Sequence, residues 1–94
     1  MLTSKQRARL RGIASTEDTI LQLGKGGVTE SFVKSVDTAL AARELVKFRV
    51  LESAFVSTKE AAYAVAEKTD SEVVTVIGSK VVLYRQSEDN LYEI

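Results

Sequence analysis

Ninety-four residues, 45% of them apolar, suffice for one hydrophobic core and not for two, so residues 1–94 are read as a single domain. With neither cysteine nor histidine, the chain has no disulfide framework, no thiol nucleophile, no imidazole base and neither of the common transition-metal ligands, thiolate and imidazole. Most enzyme classes are thereby excluded, and no metal or cofactor is expected. Thirteen basic and thirteen acidic residues cancel overall, yet residues 1–51 carry nine Lys/Arg against five Asp/Glu and residues 52–94 carry four against eight, as in a domain with one basic face.

Met1-Leu2-Thr3-Ser4-Lys5 lacks the apolar run expected of a secretory signal, and no later segment approaches the roughly 18 apolar residues of a membrane span. No membrane partner is expected, and a reducing cytoplasm is the natural compartment for a cysteine-free chain.

Thr3-Ser4-Lys5-Gln6 has the form of a capping box, and Leu10, Ile13 and Ala14 follow on one side, predicting a first helix that ends near Ala14. Its wet surface is basic throughout: Arg7 and Arg11 flank one edge of the apolar stripe, Lys5 and Arg9 the other, and residues 1–16 contain no acid. Ser15–Asp18 reads as a loop, and Thr19–Leu23 as a short strand. A second helix is expected from Thr29 to about Ala42, with Phe32, Val33, Val36, Ala39 and Leu40 at helical spacing.

Glu44–Leu51 alternates as a strand does, with Val46, Phe48 and Val50 on one face and Lys47 and Arg49 on the other. Ser57-Thr58-Lys59-Glu60 opens a third helix that packs through Ala61, Ala62, Val65 and Ala66. Val73–Ile77 and Val81–Tyr84 are apolar strands joined by a Gly78-Ser79 hairpin turn, glycine first. Residues 86–94 form a polar segment, expected to be a flexible tail. The order α-β-α-β-α-β-β predicts an α/β fold: a mixed four-stranded sheet packed with three helices, the first two strands parallel through a right-handed crossover and the last two an antiparallel hairpin.

The connection Leu23-Gly24-Lys25-Gly26-Gly27-Val28-Thr29 holds three of the five glycines around a lysine, just ahead of a helix start. Glycine lets backbone N–H groups lie against a phosphate, a helix beginning at Thr29 aims its free N–H groups and positive dipole end at the same place, and Lys25 adds a mobile charge. The same loop also reads as a plain strand-to-helix turn. It fits neither a Walker A sequence nor the dinucleotide fingerprint. Lys47 and Arg49 read equally as a contact surface or as a solvated strand side. Glu17-Asp18 and Glu88-Asp89 fall in loop and tail, where solvated charge explains them, and Tyr63, Tyr84 and Tyr92 are too scattered to form a stacking platform.

Four blocks, in order, resemble a stand-alone bacterial CRM domain, the chloroplast RNA splicing and ribosome maturation family also called YhbY-type. They are Leu2-Thr3-Ser4-Lys5-Gln6-Arg7, Gln22 through Thr29, Ala42 through Lys47, and Val76-Ile77-Gly78 with Val82-Leu83-Tyr84-Arg85. The resemblance runs from Leu2 to about Arg85. It implies a fold like the carboxy-terminal domain of a bacterial translation initiation factor, a GxxG loop similar in role to that of KH domains, and association with precursor large ribosomal subunits. Two stretches depart from the family pattern: Ser15–Thr19 is acidic and lacks proline, and Ser53-Ala54-Phe55-Val56-Ser57 is more apolar than usual.

The expectation is therefore a non-enzymatic monomer that binds ribosomal RNA rather than DNA. The expected contact residues are Gly24, Lys25, Gly26, Gly27, Thr29, Lys5, Arg7, Arg9, Arg11, Arg43, Lys47 and Arg49. The rival expectation is a protein-interaction module that docks on a ribosomal protein or assembly factor through its acidic carboxy-terminal half.

Overall fold

In the computed structural model, which describes residues 2–94, the chain folds into three layers. The elements are α1 (Ser4–Ala14), β1 (Leu21–Leu23), α2 (Glu30–Arg43), β2 (Leu45–Val50), a 3-10 turn (Glu52–Ala54), α3 (Thr58–Thr69), β3 (Glu72–Ile77) and β4 (Lys80–Tyr84). The sheet order is β1-β2-β4-β3, with β1 and β2 parallel and the other two pairs antiparallel.

Each helix starts where its cap stands. Thr3 makes the full reciprocal box with Gln6 at 2.9 and 3.1 Å. Thr29 Oγ1 accepts from the Phe32 N–H, and Ser57 Oγ accepts from the Glu60 N–H at 3.1 Å. At α3 the expected box is half made, because the Ser57 N–H does not donate back to the Glu60 carboxylate.

Strand alternation divides the core between the two faces of the sheet. Val46, Phe48 and Val50 of β2, with Val81 and Leu83 of β4, pack under α2 and α3 against Val36, Leu40, Ala61, Ala62 and Val65. Phe32 meets Phe48 edge to face, with ring centroids 5.2 Å apart. On the opposite face, Leu45, Val74, Val82 and Tyr84 pack against Leu2, Leu10 and Ala14 of the α1 segment. Val74 reaches that face through a register shift in β3 between Val73 and Thr75.

The segment after β4, expected as a flexible tail, folds back onto the domain. Glu44 links it to the core. That residue ends α2 at φ +66°, is fully buried, and sends its carboxylate toward the tail. Glu44 accepts from the N–H and hydroxyl of Ser87 and from the N–H of Leu91, and Tyr92 and Ile94 pack against the α1-side core. Burial pushes the Glu44 carboxyl up, but the hydrogen bonds from Ser87, Leu91 and Asn90 outweigh it and hold the group below the ordinary glutamate value. Arg85 fastens the end of β4 to both neighbouring helices, donating to Asp37 Oδ1 at 2.6 Å and to the Thr69 carbonyl at 2.7 Å.

Candidate nucleic-acid interface

Leu23, the last residue of β1, is buried, so the chain leaves the sheet at a fixed point and must reverse before α2 can begin. It reverses through Gly24–Gly27, where the Gly27 N–H donates to the Gly24 carbonyl at 3.0 Å with Lys25 and Gly26 between them. Gly26 has φ +98°, in the left-handed region that the third residue of a type II turn requires, and Gly27 follows at φ +67°. The Thr29 N–H then donates to the Gly27 carbonyl at 3.0 Å before capping α2. Lys25, Gly26 and Thr29 are exposed, so the turn, its lysine and the first N–H groups of α2 share one open corner. Glu30 in the first helical turn is the acid nearest to it in sequence.

The sheet continues this corner. On the α1 side, strand register aligns Leu45, Tyr84 and Glu72 in one row, Lys47, Val82 and Thr75 in the next, and Gln22, Arg49, Lys80 and Ile77 in a third. α1 packs on the first two rows and stops at Ala14, leaving the third bare. Gln22, Arg49 and Lys80 are exposed there, and Ile77 is 62% exposed. Arg11, in the last turn of α1, lines the same shallow concavity as Lys47, Ile77 and Lys80.

Arg49 and Lys80 stand directly opposite each other on paired strands, a like-charge placement that costs a few tenths of a kcal/mol. Among the described residues, no carboxylate forms an ion pair with Lys25, Arg11, Arg49 or Lys80. Gln22, paired with Arg49, lies two residues before Gly24, so the row and the glycine turn form one surface.

The twelve residues expected from sequence do not all meet here. Lys47 lies next to the row, but its ammonium donates to the Ala14 carbonyl at 3.1 Å and the Glu17 carbonyl at 3.5 Å, closing the end of α1; it is half-buried and already partnered. Arg43 occupies the last turn of α2, about 20 Å of helix away from the turn at the other end, so the structure separates it from the glycine corner. Arg7 turns toward the β3 edge, where it lines a groove with Lys59, Tyr63 and Glu67, and its Nε is buried without a partner among the described residues. Lys5 and Arg9 are exposed on α1, away from the bare row.

Lys80 was not among the expected residues. Its only local signal is its place after a hairpin turn, because its position opposite Arg49 depends on β4 pairing with β2. Tyr84 is 3% exposed and belongs to the core; burial and the nearby Glu44 and Tyr92 raise its hydroxyl pKa. The acids of residues 52–94 are dispersed over the 3-10 turn, both ends of α3, the start of β3 and the segment after β4. No group of three or more candidate ligands could hold a metal ion among the described residues, and no helix among them is long and apolar enough to cross a membrane.

The fold is thus a three-layer α/β domain with an open glycine turn beside a bare row that carries Arg49 and Lys80. More specifically, residues 2–85 match the CRS1 / YhbY (CRM) domain, and the chain belongs to that family. It is 40% identical over 90 residues to the "Probable RNA-binding protein YqeI" of Bacillus subtilis, covering 96% of this chain and 94% of the relative. It is 32% identical over 88 residues to an "RNA-binding protein" of Haemophilus influenzae, covering 94% and 89%. The solution structure of the hypothetical protein SAV1595 from Staphylococcus aureus superposes with a TM-score of 0.80 at 43% identity, covering 98% of this chain and 96% of that one. As a member of this family the chain is a binding domain and not an enzyme.

Proposed function

We propose that this protein binds structured ribosomal RNA and assists assembly of the large ribosomal subunit in the cytoplasm. In this reading it acts as a monomer and takes a backbone phosphate at the Gly24–Gly27 turn. The observation that carries the proposal is the adjacency of that turn to a row in which Arg49 and Lys80 face each other with no acid partner among the described residues. A polyanion laid along this surface would relieve the repulsion and accept from the turn. The RNA-binding names of the relatives support the choice of ligand. Phosphate contacts of this kind fix position without reading bases, so selectivity would come from RNA shape.

Two measurements test the proposal together. Sedimentation of cell extract is expected to place the protein with large-subunit precursors, and Lys25→Glu is expected to abolish that co-sedimentation while leaving the fold intact. A protein that stays in the soluble fraction, or a charge reversal without effect, would refute it.

A further inference from the structure

The 3-10 turn after β2 ends on a residue that the packing leaves entirely outside. Phe55 is 94% exposed, and it holds φ +55°, ψ 30°, a left-handed conformation natural to glycine or asparagine and unfavourable for a bulky aromatic. Its neighbours are fixed: Ala54 is buried, Val56 packs against the larger core, and the Phe55 N–H donates to the Glu52 carbonyl at 3.1 Å. A rigid backbone thus presents a ring that touches little of its own chain.

This ring stands beside the glycine turn. A Cβ placed on Gly27 would lie 3.7 Å from the Ala54 carbonyl oxygen and 3.7 Å from Val56 Cγ1, the residues on either side of Phe55. One placed on Gly24 would lie 3.6 Å from Ser53 Oγ. The loop that carries Phe55 and the loop that carries Lys25 are therefore in contact, and the charged group nearest to the ring along the chain is Glu52.

We infer that Phe55 is a stacking platform for an unpaired RNA base whose strand passes over the adjoining glycine turn. The inference rests on the RNA reading above and adds a preference for single-stranded over fully paired RNA at this corner. Every base offers a π-face, so such a contact is strong and tolerant of sequence, whereas a base inside an A-form duplex keeps its face covered. A protein partner would be expected to meet an apolar patch, but along the chain from Glu52 to Ser57 the exposed residues other than Phe55 are Glu52, Ser53 and Ser57.

The test measures binding of wild-type protein, Phe55→Ala, Phe55→Trp and Lys25→Glu to a single-stranded oligoribonucleotide containing 2-aminopurine, and to the duplex formed with its complement. Phe55→Ala is expected to lower single-strand affinity about 5- to 150-fold and to change duplex affinity by less than about twofold. Phe55→Trp should keep the affinity, and because the chain has no tryptophan, its emission should be quenched by the single strand alone. Thermal unfolding of F55A should match wild type, since the ring is outside the core. An F55A variant that binds the single strand normally, or that loses single strand and duplex equally, overturns the inference. So does a variant whose self-association changes while its RNA binding does not. If Lys25→Glu weakens both RNAs and Phe55→Ala weakens neither, the RNA reading stands and this inference falls; if wild type binds neither RNA, both fall.

Discussion

Replacing Lys80 by alanine separates contact from structure at the bare row. The side chain is exposed and without an acid partner among the described residues, and its opposite neighbour is Arg49, so truncation removes a repulsion worth a few tenths of a kcal/mol. Alanine gives back a comparable amount in strand propensity, and stability should stay within about 0.5 kcal/mol of wild type. Binding should respond differently. Four cations on this surface have no acid partner among the described residues: Lys25, Arg11, Arg49 and Lys80.

If each neutralises one phosphate, the slope of log affinity against log salt is about −2.8 to −3.6, and affinity falls roughly 50- to 150-fold between 50 and 200 mM salt. K80A should flatten that slope by about 0.7 to 0.9 and weaken binding at low salt. Fluorescence anisotropy of labelled ribosomal RNA over a salt series measures both, and urea unfolding checks the fold. A folded K80A variant with an unchanged slope would show that the row does not touch phosphate.

The glycines should separate by backbone requirement. Gly27→Ala forces a Cβ onto φ +67° and should cost about 1–2 kcal/mol in urea unfolding, whereas Gly24→Ala places a Cβ in ordinary contact and should cost under about 0.5 kcal/mol. Glu44 should make stability fall in acid. Its folded pKa is depressed, so its contribution is complete above the ordinary glutamate range and disappears as pH drops through the lowered value. Glu44→Gln should therefore be less stable near neutrality by about 1–3 kcal/mol and show a flatter acid limb, read by circular dichroism from pH 7 to about pH 2. Arg43→Ala, at the far end of α2, should leave RNA affinity within about threefold of wild type while Lys25→Glu does not; an equal loss from both would extend the interface along that helix.

Much of this molecule is written locally in the chain. Thr3, Thr29 and Ser57 mark the helix starts because a side-chain oxygen can satisfy a free N–H wherever it precedes one. The alternation of Val46, Phe48 and Val50 with Lys47 and Arg49 marks a strand and its two faces, since a pleated backbone has a period of two. The glycine turn shows itself because positive φ at Gly26 and Gly27 is a property of the residue before it is a property of the fold. The four blocks that resemble the CRM family extend this legibility to the domain type.

Tertiary structure decided what those elements meet. No local pattern says that β4 inserts between β2 and β3, and only that insertion sets Lys80 opposite Arg49 and makes β3 an edge. The end of α1 determines which basic residues stay free, so Lys47 becomes a cap for that helix while Arg49, two residues on, remains bare. Helix length carries Arg43, one of the expected contact residues, away from the glycine corner. Glu44, expected to open the second strand, instead caps α2 and is buried because the chain after β4 returns to bond it. Caps and turns act within four residues and can be read in the chain, whereas register, coverage and long-range charge pairing depend on which surfaces the hydrophobic core brings together.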